Sequence, residues 1–421
     1  PLPRYVDYMY SYPHKTAYRP FPAPVSLLPY LEQLQGRKAS LYFHIPFCSH
    51  KCGYCNLFSL QTNRTEYIAT YLDTLHRQAQ QLSPLTAGLT FDSFAIGGGT
   101  PLLLTVPQLE QLMATAALFG VHPSHAFTSV ETSPEYADRP RLNVLKKAGV
   151  SRVSIGIQSF QDEELKAIKR RPRQNTIYQA LDDIRQMDFP YFNIDLIYGI
   201  KGQTVESFLY SLEEALRFQP NELFIYPLYV RQGTGITERE PDDVCFRMYR
   251  AACKLLQAKG FLQTSMRRFI HHPSTDAEVS CGDEVMLSCG SGGRSYLGDL
   301  HYATRYTVCQ QCIAREIDEY MATTDFTVAR NGFILSAKEQ QQRFIIKNLM
   351  YYMGIDKAEY TRRFGEPLDR TPLFRQLAEQ YWIEETPERI RLTPEGLSYS
   401  DYIGQLFITP EIRQLMETYS Y

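Results

Sequence analysis

Runs of β-branched, aliphatic and aromatic residues recur along the first half of the chain. Amphipathic stretches separate these runs, and between the first two Tyr67, Ile68, Tyr71, Leu72 and Leu75 repeat at helical spacing. Alternating strands and helices predict an α/β fold with a parallel sheet, and six such units predict a partial (β/α)6 TIM-like barrel. The six predicted strands are ASLYFHI (39–45), FDSFAIG (91–97), AFTSVET (126–132), SRVSIGI (151–157), YFNIDLIYG (191–199) and ELFIYPLYV (222–230).

The pattern changes after the sixth run. Residues 233–330 are less regular and include the glycine-rich CGSGGRSYLGD (289–299), which we interpret as connecting structure that covers the barrel mouth. SAKE (336–339) is a capping-box sequence that predicts a helix start. We therefore predict four parts: an N-terminal extension covering the barrel (1–37), the barrel (38–232), a connecting and substrate-cover segment (233–330) and a small C-terminal helical, winged-helix-like domain (331–421).

Polar residues and glycines stand at or near the ends of the predicted strands. Cys48 follows the first strand, Gly97–Gly99 end the second, Glu131 lies at the end of the third, Gln158 follows the fourth, and Asp195 lies within the fifth. Ligands of parallel α/β sheets bind at the carboxyl ends of the strands. The sequence therefore predicts that these residues converge on one site.

Three cysteines, Cys48, Cys52 and Cys55, are spaced C-x3-C-x2-C directly after the first strand. Three thiolates can hold three irons of a 4Fe-4S cluster and leave the fourth iron open. An open iron can bind S-adenosylmethionine, which the cluster then cleaves by electron transfer to give a 5′-deoxyadenosyl radical. The alternative for the same residues is a zinc site in which His44 or His50 supplies the fourth ligand.

The composition of the chain indicates which cellular compartment and which classes of partner to expect. The chain has 421 residues, of which 44% are hydrophobic and 21% charged, as in globular proteins of two or three domains. No apolar run approaches a membrane span and no signal-peptide core is present, so we expect a cytoplasmic protein with no membrane partner. The net charge of -2 gives no reason to expect nucleic acid as a partner. Nine cysteines in a reducing compartment favour metal binding or catalysis over disulfides.

The stretch YFHIPFCSHKCGYC (42–55) resembles the radical S-adenosylmethionine superfamily. The branch it resembles contains oxygen-independent coproporphyrinogen III oxidase, its haem chaperone relatives and the two-cofactor methyltransferases. The resemblance covers nearly the whole chain, and it is also carried by GGGTP (97–101), ETSPE (131–135), SIGIQSF (154–160) and NIDLIYG (193–199).

The resemblance implies cofactors and residue roles. It implies a 4Fe-4S cluster on the three cysteines, S-adenosylmethionine bound beside it, and flavodoxin or ferredoxin as the electron donor. The substrate would be a small organic molecule, with a tetrapyrrole as one candidate. The residues of this branch that match Gln158, Arg170 and Asp195 hold a second S-adenosylmethionine. The residues implied to contact the first S-adenosylmethionine are Tyr42, Tyr54, Gly98, Gly99, Thr100 and Glu131.

The chain departs from the branch at two motifs. The oxidase has a fourth cysteine two residues after the third, where this chain has Leu57. The haem chaperones carry H-N-x-x-Y-W, whereas the single tryptophan here is Trp382 and HYATRY (301–306) does not match. These departures favour methyl or methylene transfer with a second S-adenosylmethionine. Decarboxylation of the oxidase type and non-catalytic haem delivery stay open as alternatives.

Six further cysteines lie outside the C-x3-C-x2-C motif. Cys309 and Cys312 form a CxxC pair, which together with Cys281 and Cys289 could ligate an auxiliary cluster or zinc. The alternative is that these residues are small buried hydrophobes. A zinc-stabilised nucleic-acid factor that uses the C-terminal unit is disfavoured by the near-neutral charge.

Overall fold

The structure is a computed structural model, and it describes residues 2–171, 173–271, 284–368 and 372–421. Its strands are β1 (Arg19–Ser26), β2 (Lys38–Ile45), β3 (Phe47–Cys48), β4 (Leu60–Gln61), β5 (Thr90–Gly98), β6 (Phe127–Thr132), β7 (Arg152–Gln158), β8 (Tyr191–Tyr198), β9 (Glu222–Pro227), β10 (Leu262–Gln263), β11 (Arg268–Ile270), β12 (Met286–Cys289), β13 (Arg294–Leu297), β14 (Leu300–Ala303), β15 (Val328–Ile334), β16 (Ile355–Asp356), β17 (Ile383–Glu385) and β18 (Arg389–Leu392).

The helices connect these strands and form most of the C-terminal part. They are α1 (Leu28–Glu32), α2 (Thr65–Leu82), α3 (Val106–Ala117), α4 (Arg139–Ala148), α5 (Asp162–Ala167), α6 (Gln174–Met187), α7 (Val205–Leu216), α8 (Asp242–Ala258), α9 (Gln310–Ala322), α10 (Ala337–Leu349), α11 (Lys357–Phe364), α12 (Pro372–Glu379), α13 (Pro394–Ser398), α14 (Ser400–Leu406) and α15 (Pro410–Glu417). Short 3-10 helices span Lys15–Ala17, Ser83–Thr86 and Pro101–Leu103.

Six parallel strands form the centre of the main sheet. They are arranged in the order β2-β5-β6-β7-β8-β9, and one or two helices connect each strand to the next. All six were predicted from the sequence, because each is a run of apolar and β-branched residues that the sheet buries. The strands β2 and β9 pair with β12 and β11 rather than with each other, so the sheet is open among the described residues.

The sheet extends well beyond the six predicted strands. In the segment 233–330, β12 pairs in parallel with β2, and β13 and β14 continue the sheet as antiparallel strands. The N-terminal β1 completes this edge by pairing with β15. The sequence pattern did not predict β12, β13 and β14, because runs of four residues are too short to show a period.

The C-terminal part has its own hydrophobic core around Trp382, Ile355 and Ile403, packed between α10–α15 and the small sheet β16-β18-β17. The predicted helix start at residue 336 is confirmed, since the Ser336 side chain accepts the N–H of Glu339. The Glu339 carboxylate does not complete the capping box with the Ser336 N–H. It accepts hydrogen bonds from the hydroxyls of Tyr12 and Thr409. The N-terminal segment is therefore fastened to this part of the chain.

Helix α2 carries a hydrogen bond that fixes the end of β2. Its predicted apolar face is confirmed, and Tyr71 is fully buried. The Tyr71 hydroxyl donates to the His44 carbonyl over 2.6 Å and accepts the Ser291 N–H over 2.9 Å. One hydroxyl thus joins α2, β2 and the segment after β12.

Replacing Tyr71 with phenylalanine is expected to lower the free energy of unfolding by about 1–3 kcal/mol, because a buried carbonyl and a buried N–H lose their shared partner. Chemical denaturation measures the change. Tyr210→Phe, at an exposed position on α7, is the matched control and is expected to have little effect. Equal effects of the two substitutions would contradict the assignment.

Candidate functional site

The three cysteines lie on a loop that closes at the carboxyl end of β2. Strand β3 ends at Cys48 and pairs with β4, so residues 49–59 form a loop between two fixed ends. The Thr62 N–H donates to the Cys48 carbonyl over 3.0 Å, and the Cys55 N–H donates to the Cys52 carbonyl over 3.1 Å. The structure therefore brings the three thiols onto one loop, close enough that each affects the charge of another.

The glycine segment at the end of β5 runs against this loop. The Gly99 N–H donates to the Ile45 carbonyl over 2.9 Å, and the Thr100 N–H donates to the Phe47 carbonyl over 2.7 Å. A Cβ on Gly99 would lie 2.5 Å from the Phe47 oxygen and 2.7 Å from Cys48 Sγ. Glycine is therefore required at position 99 by the close approach of two backbones, a reason that the sequence did not predict.

Glu131 lies beside the glycine segment and the end of β2. The Gly98 N–H donates to Glu131 Oε2 over 3.3 Å. A Cβ on Gly97 would lie 2.8 Å from the same oxygen and 2.9 Å from the Tyr42 hydroxyl. Gly97, Gly98, Tyr42 and Glu131, from three adjacent strands, thus form one continuous surface.

Two carboxyl groups share the carboxyl ends of the central strands. Surrounding protein raises the pKa of Glu131 to about 7, and the nearby Asp195 adds to the rise. Burial likewise raises the pKa of Asp195 to about 6, against the opposing effects of Asn193 and Arg152. The Glu131 side chain is nevertheless exposed to solvent, while Asp195 is half-buried and accepts a hydrogen bond of 2.8 Å from the Asn193 side chain.

Gln158 and Arg170 meet at a bulge in β7. Gln158 has φ +73°, in the left-handed region, where the register with β8 shifts. Arg170 donates to the Gly156 carbonyl, and its other terminal nitrogen lies 3.3 Å from Cys52 Sγ and 3.4 Å from the Tyr54 hydroxyl. Arg170 therefore connects this bulge to the cysteine loop.

The histidines near the cysteines are engaged elsewhere. His44 Nδ1 contacts the Tyr42 hydroxyl over 3.0 Å and Nε2 donates to the Phe58 carbonyl over 2.9 Å, so both ring nitrogens have partners. Burial lowers the pKa of His44 to about 4 and keeps the ring neutral. Among the described residues, no three His, Cys, Asp or Glu side chains are placed to hold one metal ion. The contacts of His44 leave neither ring nitrogen for a metal ion, which disfavours the zinc alternative with His44 as the fourth ligand.

The auxiliary metal site proposed for the other cysteines is not assembled in the described part of the chain. Cys289 is fully buried in β12, whereas Cys309 is exposed and Cys312 half-exposed at the start of α9. Cys281 lies outside the described residues.

Sequence reasoning missed a buried charge network below the two carboxyl groups. Arg152 donates to Glu222 over 2.7 Å, and Arg268 donates to the other oxygen of the same carboxylate over 3.0 Å. Burial favours a neutral Glu222, but the two arginines outweigh it and lower its pKa. Two guanidinium groups share one carboxylate, so a net positive charge lies near Asp195. Single charges inside apolar strands gave no pattern from which this network could be predicted.

A second missed feature is an aromatic and cationic cleft formed with the N-terminal segment. The Arg267 guanidinium lies 3.8 Å from the centre of the Tyr8 ring, and that ring lies 6.3 Å from Tyr226. The Arg294 guanidinium lies 4.6 Å from the centre of the Tyr10 ring. The pKa of Tyr226 is raised by burial and then by Asp195, which places the ring beside the carboxyl groups.

Because the folded chain holds a proton on Glu131 at pH values where the unfolded chain releases it, Glu131 should make stability fall as pH rises from about 4.5 to about 7. We expect the thermal midpoint of Glu131→Gln to fall less over this range, with Asp195 supplying part of the remaining slope. The exposed Glu66→Gln is the control. An unchanged slope in Glu131→Gln would contradict the raised pKa.

Comparisons with known proteins match both parts of the chain. A model of the radical SAM superfamily matches residues 42–215, and a model of the HemN C-terminal domain matches residues 335–399. Heme chaperone HemW of Bacillus subtilis is 27% identical over 371 residues, which cover 85% of this chain and 96% of that protein. Oxygen-independent coproporphyrinogen III oxidase of Salmonella typhimurium is 30% identical over 394 residues, covering 86% and 83%.

The fold is also that of a solved structure. Coproporphyrinogen III oxidase (HemN) from Escherichia coli matches with a TM-score of 0.79 at 23% identity, over 93% of this chain and 96% of that one. This likeness confirms the predicted fold class. Among the described residues, no helix has both the length and the apolar character needed to cross a bilayer.

Proposed function

The chain belongs to the radical S-adenosylmethionine superfamily, in the branch of oxygen-independent coproporphyrinogen III oxidase and HemW, and from this premise we propose that it is a radical enzyme. In this proposal Cys48, Cys52 and Cys55 hold a 4Fe-4S cluster. When bound, the cluster supplies the electron that cleaves S-adenosylmethionine to methionine and a 5′-deoxyadenosyl radical. The observation that carries the proposal is the packing of the cysteine loop against Gly97–Gly99 and Glu131.

The donor set fits a cluster better than a single ion. The three thiols lie close together at the end of β3 and on the loop that follows it, where each can ligate a separate iron of one cluster. Burial raises the pKa of Cys48 to about 11 and also raises that of Cys55, so in the metal-free chain both stay protonated at neutral pH. Ligation therefore releases protons, and metal binding should weaken as pH falls.

The surface beside the cysteines suits the polar parts of S-adenosylmethionine. Gly98 and Gly99 have no side chains and leave their backbone groups open to close approach by a ligand. The Glu131 carboxylate is exposed and can accept hydrogen bonds from hydroxyl or ammonium groups. We assign Tyr42, Tyr54 and Thr100 to the same site, because the first adjoins Glu131 and the other two adjoin cysteines of the loop.

A second S-adenosylmethionine is assigned to Gln158, Arg170 and Asp195. Arg170 Nε is a buried N–H with no hydrogen-bond partner in the described part of the chain. Asn193 Oδ1, next to Asp195, is a buried acceptor that likewise has no partner there. Buried polar atoms without partners mark places where a polar ligand binds. The left-handed backbone of Gln158 is a further sign of a functional constraint.

The aromatic and cationic cleft favours a flat substrate with carboxylate groups, such as a tetrapyrrole. The Tyr8 and Tyr226 rings offer stacking surfaces near the carboxyl groups. Burial lowers the pKa of Lys15, and repulsion from Arg294 and from Arg231, which is paired with Asp7 over 3.0 Å, contributes to the shift. A carboxylate would relieve this repulsion and gain charge-assisted hydrogen bonds.

We favour methyl transfer over the reactions of the two named relatives. Leu57, which stands where the oxidase has its fourth cysteine, is 47% exposed, so this position contributes an apolar surface residue rather than a thiol. Oxidative decarboxylation stays the alternative enzyme reaction. Non-catalytic haem delivery is the alternative that the likeness to HemW supports.

Anaerobic reconstitution with iron and sulfide, followed by S-adenosylmethionine, dithionite and a tetrapyrrole, tests the proposal. We expect both 5′-deoxyadenosine and S-adenosylhomocysteine. Cys52→Ala should reduce both products to background, whereas the matched control Cys253→Ala should not. Asp195→Asn should lose S-adenosylhomocysteine while it still forms 5′-deoxyadenosine, because only the second cofactor loses a partner.

The products separate the alternatives. 5′-Deoxyadenosine with carbon dioxide and no S-adenosylhomocysteine would indicate decarboxylation instead of methyl transfer. A chain that carries its full cluster, binds haem and cleaves no S-adenosylmethionine would contradict the enzyme proposal and support haem delivery.

We propose that the electron donor, a flavodoxin or ferredoxin, docks on a basic surface beside the cysteine loop. His50 Nε2 donates to the Lys169 carbonyl over 2.9 Å, so the loop is joined to a segment whose Lys169, Arg171 and Arg173 are exposed. Opposite charge on an acidic carrier would speed its approach to this surface.

The double substitution Arg171→Glu and Arg173→Glu is expected to slow turnover driven by reduced flavodoxin by roughly tenfold or more at low salt. Turnover driven by dithionite should not change, because dithionite needs no docking surface. Lys254→Glu, exposed on α8, is the matched control. An equal loss with both reductants would show damage to the site rather than loss of docking.

A further inference from the structure

Cys309 and Cys312 occupy adjoining positions at the start of α9. Cys309 is the N-cap residue, with extended backbone angles of φ -70° and ψ 124°, and Cys312 is the third residue of the helix. Side chains at the N-cap and third positions of a helix face each other, as in a capping box. The N–H and thiol of Cys312 lie near enough to the sulfur of Cys309 to lower the pKa of that thiol.

The pKa of Cys309 differs in direction from that of Cys312, which is raised, and from those of the other described cysteines outside the cysteine loop. Burial raises the pKa of Cys245 and of Cys253 to about 11 and also raises that of Cys289. The pKa of Cys309 is instead lowered, first by the N–H and then by the thiol of Cys312. Cys309 is exposed, so its sulfur is both accessible and the more readily ionised of the pair.

The residues around this pair hold the cysteine loop in place. The Gln310 side chain donates to the Ser59 carbonyl over 3.0 Å and accepts the Gln61 N–H over 2.8 Å. The Lys51 ammonium donates to the Val308 carbonyl over 3.3 Å. The first turn of α9 therefore lies directly against the loop that carries Cys48, Cys52 and Cys55.

We propose that Cys309 and Cys312 are a redox-active pair that a low-molecular-weight disulfide, such as oxidised glutathione, converts reversibly into a disulfide bond. The exposure of Cys309 and the placement of the two cysteines at the N-cap and third positions of α9 carry this inference. It does not depend on the proposed radical chemistry. The pair lies next to the residues that hold the cysteine loop. Its oxidation and reduction therefore take place at the edge of the site that we assign to an oxidation-sensitive cluster.

The exchange balances in two steps. The Cys309 thiolate attacks one sulfur of glutathione disulfide, breaks the sulfur–sulfur bond and releases one glutathione thiolate. Cys312 then loses its proton and attacks the Cys309 sulfur, which releases the second glutathione. The protein gives up two electrons and two protons, and glutathione disulfide takes them up as two thiols.

Peptide mass spectrometry tests the pair directly, because trypsin cleavage after Arg305 and Arg315 yields the peptide YTVCQQCIAR (306–315), which holds both cysteines and no other. The full-length protein, reconstituted with iron and sulfide, is equilibrated anaerobically with mixtures of reduced and oxidised glutathione, quenched in acid and alkylated. We expect oxidising mixtures to give this peptide without alkyl groups and two hydrogens lighter than its dithiol form, and reducing mixtures to give the doubly alkylated peptide.

Single substitutions distinguish the two thiols. Cys312→Ser should trap a stable glutathione adduct on Cys309, because no second thiol displaces it. Cys309→Ser should form an adduct on Cys312 at least about tenfold more slowly, because the more acidic thiol is absent. Persistent separate adducts on both cysteines of the unsubstituted protein, or two free thiols in every mixture, would overturn the proposal.

Discussion

The close approach of the β5 glycine segment to the cysteine loop is the constraint on which the site depends. A side chain on Gly99 would collide with the Phe47 carbonyl and the Cys48 sulfur, and one on Gly97 would collide with Glu131. The cysteine loop, the glycine segment and the Glu131 carboxylate can therefore share the carboxyl end of the sheet because Gly97 and Gly99 lack a Cβ. The hydrogen bond of Tyr71 to His44 fixes the same region from the opposite side.

Two carboxyl groups and two arginines lie beside this part of the site. Burial raises the pKa of both Glu131 and Asp195, and Asp195 adds to the rise at Glu131, while Arg152 lowers the pKa of both. The glutamate shared by Arg152 and Arg268 leaves a net positive charge beneath them. A ligand with ammonium and carboxylate groups matches this combination, since each of its charges meets an opposite one.

The sequence predicted the centre of the fold and the convergence of the candidate residues at the strand ends, but little of what surrounds them. Strands such as 151–157 and 191–199 are long apolar runs, and Cys48, Glu131 and Gln158 stand where such strands end. The four-residue strands β12–β14 are too short for a period, and isolated charges such as Arg152 show no pattern. Sequence spacing grouped Cys289 with Cys309 and Cys312, although tertiary structure buries the first and exposes Cys309.

The most direct test of the central claim measures iron and acid-labile sulfide per chain, together with the electron paramagnetic resonance spectrum of the dithionite-reduced protein. The account predicts about four irons per chain and a reduced-cluster signal that changes when S-adenosylmethionine is added, because one iron is open to it. Zinc in place of iron, or a four-iron signal that S-adenosylmethionine leaves unchanged, would contradict the claim that the three cysteines hold a cluster with one open iron.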